Sequence, residues 1–180
     1  MRGRGGCSIN WGKNEMRRLW APWRVEYVRQ ASRKPTGCIF CKARRAKDGR
    51  KNFVVHRGEL ALAMLNTYPY NTGHLMVAPY RHIGDLERLT EAELIALMLE
   101  TRLCIKALRR AFKPDAFNVG LNLGRVAGAG VEDHLHVHIV PRWAADTNFM
   151  PILADTRVIP EALERTYEAI ASALHALSAT

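Results

Sequence analysis

The chain has 180 residues, and its 27 Lys and Arg against 17 Asp and Glu leave a formal net charge of +10. A hydrophobic share of 48% is ordinary for a folded domain, so the composition excludes disorder over most of the length and points to anionic partners. No apolar run approaches the roughly 18 to 20 residues that a membrane span needs, which predicts a soluble, cytoplasmic protein.

The N-terminal part of the chain carries few structural signals. Residues 1–15 mix Gly, Arg and Asn without any period and are predicted to be a flexible tail, followed by a single domain over residues 16–180. Two tryptophans flank a proline in residues 19–24, and we expect them to pack against a sheet. Residues 42–52 are interpreted as a basic, solvated surface loop.

Five short segments carry the signals of β-strands, with β-branched or apolar residues between turn formers. They span residues 53–56, 60–65, 74–78, 117–123 and 134–140. Turn-forming residues fill positions 66–73, which predicts that the second and third segments form a hairpin with a long loop.

Two helices are predicted. Thr90 and Glu93 make a capping box, and the helix that follows continues until Lys113 and Pro114. Its expected core-facing stripe is Leu94, Leu97, Met98, Thr101, Ile105, Leu108 and Phe112. A C-terminal helix starts at Pro160, with an apolar face of Leu163, Tyr167, Ile170, Leu174 and Leu177. Because the strands cluster around one long helix, the predicted fold class is α+β with a mostly antiparallel sheet.

Three histidines alternate with apolar residues over positions 134–139. Alternate side chains of a strand share one face, so His134, His136 and His138 are predicted to line one side at steps of about 6.7 Å. The apolar residues between them are expected to enter the core, and Pro141 is expected to end the pairing.

Such a row of imidazoles serves either metal binding or acid–base and nucleophilic chemistry. Gly128 and Gly130 lie just upstream, where their backbone N–H groups are expected to bind phosphate oxygens. This glycine-rich loop and the positive charge favour nucleophilic chemistry on a phosphoryl centre for the middle residue, His136.

Cys38 and Cys41 form a C-x-x-C unit, whose spacing suits either zinc or redox chemistry. No βαβ pattern surrounds the pair, which disfavours a thioredoxin-like role. A structural zinc needs two more ligands, and His82 and His134 are available; the alternative is a pair of buried thiols. His56 and His175 have no such partners and are treated as incidental.

The histidine row resembles the H-x-H-x-H signature of the histidine triad (HIT) superfamily of nucleotide hydrolases and transferases. Residues 65–82 resemble the first nucleotide-binding hairpin of that family, and residues 117–124 resemble the strand before its triad. Residues 19–24 and 141–149 are most similar to the prokaryotic branch that includes diadenosine tetraphosphate phosphorylases.

The resemblance implies a HIT-like fold, a homodimer whose sheets join into one, and roles for individual residues. His136 is the implied nucleophile, which forms a nucleotidyl-histidine intermediate, and His138 is implied to stabilise the phosphate charge. The implied nucleotide-binding positions are Asn66, His74 and Asn122. Gly130 departs from the family pattern, which often has Ser, Thr or Gln there, so backbone N–H groups are the expected contacts. Zinc-bearing members use the residues that match Cys38, Cys41, His82 and His134.

The implied activity is nucleotidyl transfer or hydrolysis on dinucleoside polyphosphates, without an organic cofactor. An alternative within the family is a hydrolase of nucleoside phosphoramidates or adenylylated small molecules. An alternative of another class is a non-catalytic, zinc-containing module that binds nucleic acid. The sequence shows no basic helix or aromatic stacking platform, so nucleic acid is not the expected partner.

Overall fold

The computed structural model describes residues 37–144, 146 and 161–178. The predicted tail, the tryptophan segment at 19–24 and the predicted helix start at Pro160 lie outside these residues. The strands are β1 Val54–Arg57, β2 Ala61–Leu65, β3 Leu75–Pro79, β4 Ala116–Leu121 and β5 Val137–Arg142. The α-helices are α1 Ile39–Arg45, α2 Glu91–Phe112 and α3 Leu163–Ser178, and single 3-10 turns occur at Arg50–Asn52, Leu86–Arg88 and Arg125–Ala127.

The strands form one five-stranded sheet in the order β1-β2-β3-β5-β4, and every neighbouring pair is antiparallel. The predicted hairpin is confirmed, with Ala61 opposite Pro79 at one end and Leu65 opposite Leu75 at the loop end. The predicted α+β class with an antiparallel sheet is therefore confirmed. None of the helices in the described residues is both long and apolar enough to cross a membrane.

Both faces of the central strands are covered. In β2, Ala61, Ala63 and Leu65 pack with residues of α2 and α3, whereas Leu62 and Met64 pack with residues of α1. Every residue of β2 and β3 is consequently buried. This explains why these strands are continuous apolar runs in the sequence, without the alternation that a half-exposed strand shows.

The long helix α2 begins where the sequence predicts. Thr90 Oγ1 accepts a hydrogen bond from the Glu93 N–H (3.3 Å), and the Glu93 carboxylate accepts one from the Thr90 N–H (2.9 Å). The helix ends at Phe112, and the next residue, Lys113, has a left-handed backbone with φ of 48° and donates its N–H to the carbonyl of Arg109. Both helix termini therefore satisfy some of the backbone groups that a helix leaves unpaired.

The predicted core stripe of α2 is wrong in part. Leu97, Thr101 and Leu108 are buried as expected, but Leu94 and Met98 are exposed. The helix carries a second apolar face, made of Leu94, Ile95, Met98 and Leu99, that points away from the sheet. Apolar spacing alone does not separate two adjacent faces of one helix, because both repeat every three to four residues.

The basic stretch at residues 42–52 is not simply a loop, because its first part belongs to α1. Arg57 of β1 closes the C-terminal end of this helix. Its guanidinium donates to the carbonyls of Ala43 (2.8 Å), Arg44 (3.2 Å) and Ala46 (2.8 Å), which have no intrahelical donor. One long-range side chain thus stabilises a helix of only 7 residues.

The last strand is displaced from its predicted position. Its ladder begins at Val137, and Pro141 does not end the pairing but lies opposite Phe117 within the strand. Pairing between β3 and β5 stops at Leu75 and Ile139. Beyond Ile139 one side of β5 has no ladder partner in the part of the chain that the structure describes, so a proline is tolerated there.

His56 is not incidental. Its Nδ1 lies 2.7 Å from Oε1 of Glu100, a buried carboxylate on α2. The hydrogen bond to this carboxylate raises the pKa of His56, and burial opposes the shift. The pair links strand β1 to the long helix α2.

This pair predicts a pH-dependent stability. A folded-state pKa above the unfolded value means that the stabilisation is complete below about pH 6.5 and is lost as the pH rises through the folded pKa. We expect His56→Gln to lower the free energy of unfolding by about 1.5–3 kcal/mol near pH 6, the range for a hydrogen bond to a charged group, and by less at pH 8.5. Urea unfolding across this pH range measures the difference. His175→Gln, at an exposed position of α3, is the control, and equal losses at both pH values for His56→Gln would contradict the prediction.

Candidate active site and metal-binding group

The histidine row lies on the face of the sheet that α1 covers. Leu135, Val137 and Ile139 enter the core formed with α2 and α3, so the predicted division between the two faces is confirmed. His134 and His136 are buried, and the rings of His136 and His138 are 4.7 Å apart between centroids. His134 and His136 precede the hydrogen-bonded ladder of β5, and the Leu135 N–H between them donates to the carbonyl of Ile83 (2.7 Å).

One nitrogen of His136 is committed to the backbone. Its Nδ1 lies 2.8 Å from the carbonyl oxygen of His134. A carbonyl can only accept, so His136 donates its Nδ1–H and carries a lone pair on Nε2. Burial lowers the pKa of His136, against a smaller opposite effect of this hydrogen bond. The ring is therefore neutral at pH 7, with a basic Nε2 ready to act as a nucleophile.

The tautomer of His138 follows from a chain of two hydrogen bonds. The Tyr70 backbone N–H donates to Nδ1 of His74 (3.0 Å), so the proton of a neutral His74 is on Nε2. That Nε2–H lies 3.0 Å from Nδ1 of His138 and donates to it. His138 therefore carries its own proton on Nε2. Burial, followed by the neighbouring His136, lowers the pKa of His138 to about 4, so this N–H is a neutral donor.

The hairpin loop that carries His74 is held in place at its base and its tip. Asn66 donates its backbone N–H to the carbonyl of His74 (2.9 Å), and its side-chain oxygen accepts from the Tyr68 N–H (2.9 Å). Gly73 has a φ of +76°, a conformation that side chains disfavour. Asn71 donates to the carbonyl of Pro141 (3.1 Å) and to the carboxylate of Asp146 (2.9 Å), which connects this loop to the end of β5.

The glycine-rich loop between β4 and β5 contains a 3-10 turn. Gly128 has a φ of +95° and donates its N–H to the carbonyl of Arg125 (3.0 Å). Its own carbonyl oxygen lies 3.5 Å from the side-chain nitrogen of Asn122. Gly130 is exposed, and its N–H makes no hydrogen bond with another described residue. Of the two predicted phosphate contacts, only the Gly130 N–H is therefore uncommitted within the described part of the chain.

The four predicted metal ligands come together. The ligand atoms of Cys38, Cys41, His82 and His134 all lie within 4.8 Å of one another. Nδ1 of His134 is 3.2 Å from Sγ of Cys38, 3.8 Å from Sγ of Cys41 and 3.2 Å from Nδ1 of His82. Tetrahedral zinc, with Zn–N of about 2.0–2.1 Å and Zn–S of about 2.3 Å, requires N···N and N···S separations of roughly 3.3–3.6 Å.

The protonation of His134 also suits a metal ligand. Its Nε2 lies 2.9 Å from the carbonyl oxygen of Pro79, which can only accept, so the ring proton is on Nε2. The Nδ1 lone pair consequently points to the two sulfurs and to His82. A hydrogen-bonded second nitrogen is the usual arrangement for a metal-bound histidine. The donor types, their spacing and this tautomer fit a tetrahedral metal ion.

Comparison with known proteins assigns the chain to a family. A family model described as HIT domain matches residues 48–145, which include His74 and the whole histidine row. The chain belongs to the HIT family. It is 42% identical over 167 residues to a Mycobacterium tuberculosis protein named AP-4-A phosphorylase, an alignment that covers 89% of this chain and 85% of that protein.

Solved HIT structures share the fold. A hypothetical histidine triad nucleotide-binding protein from Sulfolobus tokodaii is 29% identical, with a TM-score of 0.63, and the match covers 78% of this chain and 94% of that one. A Zn-bound histidine triad family protein from Mycobacterium smegmatis has the same TM-score of 0.63 at 23% identity, covering 79% and 96%. The HIT-like fold inferred from the motif is therefore confirmed.

Sequence reasoning missed three residues of this HIT site. Tyr70 sets the His74 tautomer through its backbone, and Asn71 attaches the hairpin loop to β5, but both stand in a stretch that shows only turn propensity. Phe40 is buried, and its ring centroid is 4.9 Å from that of His136. Its place between the two cysteines was the available signal.

Proposed function

We propose that this HIT protein cleaves dinucleoside polyphosphates, such as diadenosine tetraphosphate, through a covalent nucleotide on His136. The observation that carries the proposal is the buried, neutral His136 ring. Its Nδ1–H is donated to the His134 carbonyl, so its Nε2 is unprotonated and has a lone pair for nucleophilic attack. The 42% identity to the mycobacterial AP-4-A phosphorylase over most of both chains supports this substrate class.

The chemistry proceeds in two displacements at one phosphorus atom. Nε2 of His136 attacks the α-phosphorus, an N–P bond forms, and the P–O bond to the departing nucleotide breaks with its electron pair on oxygen. The Nε2–H of His138 donates to the phosphate oxygens and stabilises their charge. A phosphate ion or a water molecule then attacks the same phosphorus, and the N–P bond breaks to regenerate His136.

Several further groups are proposed to bind the nucleotide. Asn66 stands at the base of the hairpin loop, and His74 completes the site through its hydrogen bond to His138. The side chain of Asn122 and the N–H of Gly130 are the proposed phosphate contacts, with Gly128 holding the shape of the loop through its bond to Arg125. The excess positive charge attracts polyphosphate from a distance.

Zinc is the proposed occupant of the metal-binding group, with Cys38, Cys41, His82 and His134 as its ligands. A zinc ion bound here would supply no reacting group, because its four ligands would all be protein side chains. Its proposed role is structural. It would join the start of α1 to His82, in the loop after β3, and to His134, two residues before the proposed nucleophile His136.

A homodimer is the proposed assembly. Among the described residues no strand pairs with the outer side of β4, whose Val119 and Leu121 are exposed, and α2 exposes an apolar face that includes Ile95 and Met98. Unpaired edges and large apolar surfaces are what a second copy would cover.

We expect a dimer in sedimentation equilibrium, and a substitution of Val119 by Lys to shift the equilibrium towards monomer. A wild-type protein that sediments as a monomer at micromolar concentration would contradict this assembly.

The other proposals concern the cellular location of the protein, its domain organisation and two alternative functions. Cys38, Cys41 and Cys104 form no disulfide, which suits a reducing cytoplasm, and residues 16–180 are proposed to form one domain. A hydrolase of nucleoside phosphoramidates or adenylylated small molecules would use the same His136 chemistry on another leaving group. A non-catalytic module that binds nucleic acid would not need His136 at all.

His136→Ala tests the proposal. Wild-type protein incubated with diadenosine tetraphosphate and orthophosphate should yield ATP and ADP if phosphate is the acceptor, or ATP and AMP if water is. We expect the variant to lose turnover by at least about 10³-fold while retaining nucleotide binding, because only the nucleophile is removed. Chromatography of the products, together with acid-quench trapping of a labelled adduct on His136, measures both.

His175→Ala is the matched control, since His175 is exposed on α3. It should keep full turnover and form the adduct. Undiminished turnover in His136→Ala would remove His136 from its proposed role. Absence of turnover in the wild type, with nucleoside phosphoramidates cleaved instead, would select the alternative substrate class.

Cys41→Ser tests the metal. Because a serine hydroxyl is a poor zinc ligand, we expect the variant to lose its zinc and to melt at a lower temperature than the wild type. Elemental analysis and thermal unfolding measure the two effects. The control is Cys104→Ala, a change at a buried position of α2, and this variant should keep the metal. An unchanged zinc content in Cys41→Ser would refute the proposed ligand set.

A further inference from the structure

Phe40 connects the C-x-x-C unit to the histidine row. The residue lies between Cys38 and Cys41 in the first turn of α1, and its side chain is 1% exposed. Its ring centroid is 5.0 Å from that of His134 and 4.9 Å from that of His136. It therefore contacts both a proposed metal ligand and the proposed nucleophile.

Phe40 limits the movement of the His136 ring. The bond from Nδ1 to the His134 carbonyl restrains one edge of this ring, and the His138 ring stands against it at an interplanar angle of 71°. Phe40 is inclined by 36° to the His136 ring. These contacts leave the imidazole little space to swing its Nε2 away from the position that the hydrogen bond defines.

The position of Phe40 is itself determined from two sides. The Lys42 N–H donates to the carbonyl of Cys38 (3.0 Å), which closes the turn that contains Phe40. At the other end of α1, Arg57 binds the last carbonyls of the helix. Phe40 also belongs to a buried apolar cluster that includes five residues of the sheet, namely Val54, Leu62, Met64, Met76 and Ala78.

We propose that Phe40 is a positioning residue, whose ring, held by the C-x-x-C turn, fixes the orientation of the His136 imidazole. The proposal rests on the proposed function for its kinetic consequences. A residue that merely filled the core would need only apolar volume at this position. A positioning role requires the flat ring, because it is the ring that lies against the nucleophile.

Phe40→Leu separates the two roles, since leucine keeps the residue apolar and removes the aromatic plane. We expect kcat for diadenosine tetraphosphate to fall by about ten- to a hundredfold with KM within about twofold, because small misplacements of a nucleophile cost up to about 10²-fold. Val54→Ala is the matched control, because it removes buried volume from the same apolar cluster on β1, a strand that β2 and β3 separate from β5. It should lower the melting temperature and keep kcat.

A second measurement requires no substrate. In ¹H–¹⁵N correlation spectra of the full-length, zinc-loaded protein at pH 8, His136 of the wild type should show a single tautomer with its proton on Nδ1. We expect Phe40→Leu to show exchange between the two tautomers at an unchanged zinc content, and Val54→Ala to match the wild type.

The outcomes separate this inference from the proposed function. A wild-type protein without turnover on dinucleoside polyphosphates refutes the proposed function, and the spectra still decide the role of Phe40. A single Nδ1–H tautomer in Phe40→Leu overturns the positioning role. The same conclusion follows if kcat stays within twofold of the wild type, or if Val54→Ala lowers it equally.

Discussion

Three hydrogen-bonding groups of His134 connect the metal-binding group to the His136 ring. The Nε2–H of the ring is donated to the carbonyl of Pro79, at the end of β3, which turns Nδ1 towards the two cysteines and His82. The backbone carbonyl of the same residue accepts the Nδ1–H of His136. A displacement of His134 would therefore disturb the metal-binding group and the tautomer of the neighbouring imidazole together.

Burial makes these hydrogen bonds decisive. Desolvation lowers the pKa of His134, His136 and His138, so all three rings are neutral at pH 7, and a neutral imidazole has one donor and one acceptor nitrogen. Backbone groups that can only donate or only accept then determine which nitrogen carries the proton, directly in His134 and His136 and through the His74 ring in His138. The positive charge of the chain is elsewhere, on exposed side chains such as Arg88 and Arg125, where it acts over a distance and weakens with salt.

Much of the fold follows from local signals. The capping box at Thr90 and the turn-rich stretch between β2 and β3 gave the start of α2 and the hairpin, because caps and turns depend on residues close in sequence. The position of Pro141 in β5 and the exposure of Met98 were not predictable in this way. Whether a strand has a partner at one residue, and which of two apolar helix faces meets the sheet, depend on segments far away along the chain.

The site likewise has features that local motifs predicted and features that depend on tertiary contacts. The alternation of the histidines and the spacing of the cysteines were enough to propose the nucleophile, the ligand set and the family, since each motif is short and its geometry is that of a strand or a turn. Only the tertiary structure decided that Phe40 lies against His136, that Tyr70 sets the proton on His138 through His74, and that His56 meets Glu100. These contacts join residues from different elements, and no local pattern in the sequence encodes which side chains come within a few ångströms across a folded core.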